Sequence, residues 1–335
     1  MIEHIISNVS DLIKILNKLG IPDVGKTRFF RGQADKNWII EPSIFRNKKL
    51  IENEHRIIKD LLTNCPDDFS PNDTLFEKLV KLQHYGCKTR LLDLTSNALV
   101  ALYFSCVEKS HHHKDGELII LDIPNEHIKY SDSDTVSVLT AISVQSNDFN
   151  ITKCIRNASI HKRLKELSYI ASNFNDKNIN NFEESGLGKL FNMTKNDYKN
   201  LIASGFPGAG QNAFLHSFNE QKEIVALIHD IRADKPSFQP IINSEDLNRI
   251  LCVKAKLNNA RITRQQGCFL LYGMNEDKLS HPPIPEEWFR KTKKQKFIVR
   301  NKQNILKELE LFGVSTQILF PELEKQAIEL VSKYL

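Results

Sequence analysis

The sequence lacks the features of a membrane or secreted protein. No apolar run reaches the roughly 18 residues that a bilayer-spanning helix needs, and the first residues are neither basic nor followed by a cleavable apolar stretch. Only 25 of the 335 residues, 13 Gly and 12 Pro, are of the types that interrupt regular structure. We therefore expect a soluble globular protein in the cytoplasm that has no membrane partner.

The sequence also has no CxxC cysteine pair and no large excess of either charge. The six cysteines lie at irregular spacings with no CxxC pair, which predicts reduced thiols and no zinc site. The 46 basic and 41 acidic residues leave a net charge of +5, too small to name a nucleic acid as the partner. P-loop, dinucleotide GxGxxG, HExxH and GxSxG motifs do not occur, so the mechanisms that they support are not predicted.

The apolar pattern predicts an α+β fold, with a mixed or antiparallel sheet as its core and helices around it. The first helix is expected to begin at Ser10 and to end at Gly20. A later helix is expected to begin at Asp73 and to end at Gly86.

Three segments are expected along the chain. Residues 1–130 form the N-terminal part of the core, and residues 221–335 complete the same core. Residues 131–220 are rich in Ser, Asn and Asp and form a mostly helical insertion or subdomain.

Two polar segments are candidates for a functional site. Phe30-Arg-Gly-Gln33 ends a predicted strand, where Arg31 can present its guanidinium to a phosphate or carboxylate, or can pair with an acid at the edge of the core. Gln83-His-Tyr-Gly-Cys-Lys-Thr-Arg-Leu-Leu-Asp93 lies where a helix stops and holds six strongly polar side chains, those of Gln83, His84, Lys88, Thr89, Arg90 and Asp93. Such a density forms either a site or a buried structural network.

A third segment, Arg290-Lys-Thr-Lys-Lys-Gln-Lys296, contains five positive side chains and no acid. It could follow a phosphate backbone, or it could be a solvated loop before a strand.

These motifs, in this order, resemble the FRG domain family, which is named for its Phe-Arg-Gly motif. The resemblance continues through later segments of the chain. The residues that carry it are Phe30-Arg-Gly-Gln33, Trp38, Pro42-Ser-Ile-Phe-Arg46, Glu54, Gln83-His-Tyr-Gly86, Thr89-Arg-Leu-Leu-Asp93, Asn97, Ala101-Leu-Tyr-Phe104, Lys235-Pro-Ser-Phe238, Asn259-Ala-Arg-Ile262, Gln265-Gln-Gly-Cys-Phe269 and Leu319-Phe-Pro-Glu-Leu323.

The strand that ends in Phe-Arg-Gly and the later Thr-Ser step are also similar to motifs of Arg-Ser-Glu ADP-ribosyltransferases. This second resemblance implies that Arg31 binds the pyrophosphate of NAD and that Thr95 and Ser96 lie at the nicotinamide pocket. The sequence departs from the pattern because Gln265 lies near the position of the late glutamate. Either another carboxylate such as Glu223 takes that role, or the transferase chemistry is lost.

Our leading hypothesis is an ADP-ribosyltransferase-like enzyme that binds NAD or another nucleotide, acting as a toxin or as an anti-phage defence effector. NAD is then a substrate, and no resident cofactor or metal is implied. The alternative is a non-catalytic module whose Arg-rich cleft binds a nucleic acid or a phosphorylated ligand. The candidate catalytic residues are His84, Asp93, Glu223 and Gln265. The candidate binding residues are Arg31, Gln33, Gln83, Arg90, Thr95, Ser96, Asn97 and Arg261.

Overall fold

The computed structural model describes residues 2–173, 206–256, 259–290, 295–332 and 334, and these form fourteen α-helices and eight strands. The strands are β1 (Ile2–Ile6), β2 (Lys26–Gln33), β3 (Leu91–Thr95), β4 (Gly116–Pro124), β5 (Ile128–Tyr130), β6 (Ile250–Lys254), β7 (Gly267–Tyr272) and β8 (Gln295–Val299). The helices are α1 (Val9–Leu19), α2 (Lys48–Glu52), α3 (Glu54–Asn64), α4 (Leu75–His84), α5 (Ala98–Cys106), α6 (Asp134–Ala141), α7 (Thr152–Asn173), α8 (Phe206–Asn219), α9 (Lys222–Asp234), α10 (Ser244–Leu247), α11 (Ala260–Gln265), α12 (Lys302–Leu311), α13 (Thr316–Leu319) and α14 (Leu323–Ser332).

All eight strands form one mixed sheet in the order β1-β8-β4-β2-β3-β7-β6-β5. The pairs β1–β8 and β5–β6 are parallel, and the other pairs are antiparallel. Strands β6, β7 and β8 come from the C-terminal third of the chain and lie in the same sheet as the N-terminal strands. The predicted α+β class and mixed sheet are confirmed.

The two faces of the sheet are covered differently. One face packs against two groups of helices, α1, α5 and α12 beside β2, β4 and β8, and α3, α4, α6 and α9 beside β3, β6 and β7. The other face packs against Ile284 and against Trp288, which ends the short 3-10 helix Glu286–Trp288. Strand β4 is buried along most of its length, as its apolar run from Leu118 to Leu121 requires.

Two helix starts differ from those expected. Helix α1 is capped by Asn8, whose side chain accepts from the backbone nitrogen of Asp11, rather than by Ser10. Helix α4 is capped by Thr74, which forms a reciprocal capping box with Glu77. Asp73 instead accepts from the backbone nitrogen of Ser70 in the preceding turn, so its side chain is already engaged.

Gly32 is required by the close approach of β2 to helix α5. A Cβ at this position would overlap the carbonyl oxygen of Ala101 and would lie 2.6 Å from the backbone nitrogen of Ser105. Because both obstacles are backbone atoms, no side chain can move aside to make room. The glycine therefore lets the strand that carries Arg31 lie directly against α5.

A buried ion cluster joins α3, β3 and the loop after β7. Arg90 donates from Nε to the Glu54 carboxylate at 3.0 Å and from Nη1 to the Tyr272 carbonyl at 3.2 Å. Lys278 lies 3.4 Å from the same carboxylate and donates to the Gln145 carbonyl at 2.7 Å. The three charged side chains are at most 1% exposed, so two buried cations share one buried anion.

Because two buried cations share one buried anion, we expect the titration of Lys278 to make stability depend on pH. Burial, opposed by the nearby Glu54 carboxylate, lowers the pKa of Lys278 from 10.5 to about 8. Between these two values the unfolded chain holds a proton that the folded protein has lost, so this group makes the folded state more stable as pH rises. Wild-type protein should therefore gain stability relative to Lys278→Met between about pH 8 and pH 10.

Thermal unfolding of both proteins over that range measures the effect. Other titrating groups are common to both proteins and cancel in the difference between their melting temperatures. A difference that does not change with pH would show that Lys278 titrates normally.

The helices of the expected insertion surround a core that includes Phe149, Ala158 and Phe218. Residues 174–205 of that region lie outside the described residues, and the predicted division into three segments stays a prediction. Among the helices of the described residues, none combines the length and the apolar character that a membrane crossing needs.

Candidate active site

A cavity of about 330 Å³ opens between β2 and β3. These adjacent strands pair at one position only, Phe30 with Thr95, and both strands line the cavity beyond it. The last turn of α4, helix α11, the start of β7 and the end of α5 complete the wall. A volume of this size is at the lower end of the range of small-ligand pockets.

Arg31 crosses the gap between the two strands. Its Nη1 donates to the backbone carbonyl of Asp93 at 2.7 Å, while its Nε is buried with no hydrogen-bond partner in the described part of the chain. Burial lowers the pKa of the Arg31 guanidinium, and the Asp93 charge opposes that shift. A cation that is partly desolvated and has a spare donor is suited to bind an anionic oxygen.

Asp93 presents its carboxylate at the cavity from the middle of β3. Its Oδ1 accepts from the Gln83 amide at 2.9 Å, and the Gln83 carbonyl oxygen accepts from the Thr89 hydroxyl. Gln83 lies in the last turn of α4, which the capping box and the turn at Gly86 define. The carboxylate is thus oriented by a fixed neighbour and is still exposed to the cavity.

His84 and Arg261 form a second polar corner of the cavity. The His84 Nδ1 lies 3.2 Å from the Asn259 amide nitrogen, and burial together with the Arg261 charge lowers the pKa of His84. The Arg261 guanidinium stacks 4.7 Å from the centre of the Phe320 ring and lies 3.8 Å from the Glu322 carboxylate. Its Nε is buried and has no partner within the described ranges.

Thr95 and Gln265 line the cavity, but the side chain of each donates a hydrogen bond to a backbone carbonyl. The Thr95 hydroxyl donates to the Gln265 carbonyl at 2.7 Å, and the Gln265 amide donates to the Leu319 carbonyl at 3.0 Å. Gln265 therefore connects the cavity to the C-terminal segment and has its amide already engaged.

Aromatic rings form the apolar part of the wall. They are Phe30, Trp38, Phe104 and Phe269. Their flat surfaces can contact a base or a nicotinamide ring.

Seven of the twelve predicted site residues line this one cavity. They are Arg31, Gln83, His84, Asp93, Thr95, Arg261 and Gln265. Arg90 was expected in the same cleft, and the structure corrects that expectation because Arg90 is fully buried in the ion cluster with Glu54.

Four other predicted residues also lie outside the lining. Gln33 is 1% exposed, and neither end of its amide has a partner in the described residues. Ser96 is exposed and donates to Gln266, and Asn97 caps helix α5. Glu223 lies in the first turn of α9, where it accepts from the thiol of Cys154 at 3.5 Å, so it does not replace the missing late glutamate in the cavity.

Sequence reasoning gave no role to the aromatic side chains of the wall or to Glu108. Trp38 and Phe104 stand within the motifs of the FRG resemblance, which could have identified them as lining residues. Glu108 also lines the cavity, from the loop after α5, and no sequence pattern marked it.

Residues 26–114 match the FRG domain family. The chain therefore contains an FRG domain in this part of its length. The matched range holds Arg31, Gln83, His84 and Asp93, whereas Arg261 and Gln265 lie beyond it. No curated protein and no solved structure matches the chain.

Within the described ranges, no three His, Cys, Asp or Glu side chains are grouped so that they could hold a metal ion. Residues 291–294 of the basic segment lie outside the described residues.

Proposed function

We propose that the protein is an ADP-ribosyltransferase-like enzyme that binds NAD or a related nucleotide in the cavity between β2 and β3. One observation supports this most strongly, the meeting of two guanidinium groups, Arg31 and Arg261, with a carboxylate and several aromatic rings in one cavity. Guanidinium groups suit phosphate oxygens, and flat aromatic surfaces suit the rings of a nucleotide.

The reaction would break the bond between the ribosyl C1′ and the nicotinamide nitrogen. Nicotinamide leaves with the bonding electron pair, and a positive charge develops on the ribose. Water or an acceptor group then forms the new bond at C1′ and releases its proton to solvent. A carboxylate close to C1′ stabilises the developing positive charge.

Asp93 is the best candidate for that carboxylate. The Gln83 amide orients the Asp93 carboxylate, and the backbone carbonyl of Asp93 accepts from Arg31. The carboxylate and the phosphate-binding guanidinium are therefore fixed in position relative to each other. Glu108 is exposed in a loop and accepts from the Ser110 hydroxyl at 2.8 Å, which leaves it less well positioned.

A second function, that of a non-catalytic binding module, is favoured by one observation. Gln265 lies near the position of the late glutamate in the resembling enzymes, and its amide is already bound to the Leu319 carbonyl. In that case the same cavity binds a phosphorylated ligand or the end of a nucleic acid without turnover.

The cellular setting is part of the same proposal. An enzyme that consumes NAD would serve as a toxin or as an anti-phage defence effector. The six free cysteines, four of which are buried, support a location in the reducing cytoplasm.

Arg31→Lys tests the binding role that both functions share. Lysine keeps the charge but loses the planar pair of donors, so we expect NAD or ADP binding to weaken by about 1–3 kcal/mol. Because Arg31 donates to a single backbone carbonyl within the described residues, the melting temperature should change little. Arg264→Lys is the control, since Arg264 lies on the same helix as Arg261 but does not line the cavity.

Calorimetric titration measures binding, and release of nicotinamide separates an enzyme from a pure binder. Unchanged affinity in Arg31→Lys would remove the support for both functions.

A further inference from the structure

The orientation of the Asn259 side chain is fixed by the backbone of helix α11. Asn259 is the N-cap of this helix, and its Oδ1 accepts from the backbone nitrogens of Arg261 at 2.8 Å and of Ile262 at 3.4 Å. If Oδ1 and Nδ2 of Asn259 changed places, the amide hydrogens would point at those two backbone N–H donors. The Nδ2 atom must therefore be the end that faces His84, at 3.2 Å from its Nδ1.

This contact determines which nitrogen of His84 carries the proton. The Asn259 Nδ2 can only donate, so the His84 Nδ1 must accept and cannot itself be protonated. A neutral imidazole then holds its single proton on Nε2. The other ring nitrogen is thereby available to donate to a ligand in the cavity that His84 lines.

We propose that Asn259 locks His84 as a neutral Nε2–H donor, and that His84 and Arg261 together form a subsite for a phosphate oxygen of the ligand. This proposal deepens the proposed function and rests on it for the ligand, whereas the protonation state of His84 follows from the protein alone. It makes His84 a residue that positions the ligand, in place of the catalytic residue expected from the sequence.

The charges around His84 support its neutral state. Burial lowers the pKa of His84, the Arg261 cation lowers it further, and the Asp93 and Glu322 carboxylates oppose that shift. Protonation would also place a hydrogen on Nδ1 against the hydrogens of the Asn259 amide. The imidazole is consequently neutral at physiological pH.

Arg261 supplies the second donor of the subsite. Phe320 supports one face of its guanidinium, and its buried Nε has no acceptor within the described part of the chain. A buried donor without an acceptor is costly unless a ligand or water satisfies it. A phosphate oxygen can accept from both the Arg261 guanidinium and a neutral imidazole N–H.

The protonation of His84 can be read directly in protein labelled with ¹⁵N-histidine and free of ligand. We expect the wild-type NMR spectrum to show a proton on Nε2 and none on Nδ1. Asn259→Asp keeps the helix cap, because aspartate caps as well as asparagine, but it faces His84 with an acceptor. In this variant Nδ1 should become protonated and His84 should titrate at a higher pH.

Asn243→Asp is the matched control. Asn243 caps helix α10 through the backbone nitrogen of Glu245 and does not line the cavity, so the His84 signals should not change. A wild-type His84 protonated at Nδ1, or a protonation pattern that is the same in Asn259→Asp, would overturn the lock.

ADP binding tests the subsite itself. Arg261→Gln should weaken ADP binding at least about ten-fold, the size expected for one lost charged hydrogen bond, whereas Arg264→Gln should not. Equal ADP affinity in wild type and Arg261→Gln would overturn the subsite. Failure of the wild type to bind ADP would contradict the proposed function, and the ligand-free NMR measurement would still decide the state of His84.

Discussion

Glu54→Gln is expected to lower the free energy of unfolding by about 3–5 kcal/mol. Removing the carboxylate leaves the Arg90 and Lys278 cations buried without an opposite charge, since both contact Glu54 and are fully buried. Deprotonation of Lys278 can relieve part of this cost, but the Arg90 guanidinium keeps its charge.

Chemical denaturation measures the loss. Glu52→Gln is the matched control, because Glu52 lies only two residues away and forms a partly exposed pair with Lys48 at 3.8 Å. The control should change stability by less than about 0.5 kcal/mol. If Glu54→Gln also lowered the free energy of unfolding by less than about 0.5 kcal/mol, the buried cluster would not be a determinant of stability.

Asp93→Asn is expected to lower the rate of nicotinamide release by about 10²- to 10³-fold, the effect of removing one preorganised electrostatic group. Asparagine has nearly the same shape, and its side-chain oxygen can still accept from the Gln83 amide, so folding and ligand affinity should change little.

Glu108→Gln distinguishes between the two acids that line the cavity. We expect it to retain the wild-type rate within about three-fold, because Glu108 is exposed and bound to Ser110. A large loss in Glu108→Gln with none in Asp93→Asn would assign the reaction to the other carboxylate.

Local sequence signals predicted the fold class and the ends of two helices, but they predicted helix starts less well. Gly20 does end α1, as its positive φ of 67° allows. The start of α4 was misplaced by one residue because both Asp73 and Thr74 can cap a helix. Thr74 is the cap because Glu77 stands three residues later and completes the box.

The candidate site was predictable where polar residues interrupt apolar elements, as Arg31 and Asp93 do in β2 and β3. Arg90 was misassigned because its partner, Glu54, lies 36 residues earlier and no local pattern shows that the two are buried together. The lock on His84 depends on Asn259, 175 residues away, and only the fold shows that the start of α11 lies beside the end of α4.

The most direct test of the central claim is a crystal structure of the protein soaked with NAD. We predict density in the cavity between β2 and β3, with phosphate oxygens within hydrogen-bond distance of Arg31 and the ribose beside Asp93. An empty cavity at saturating NAD, or nucleotide bound only elsewhere, would contradict the account.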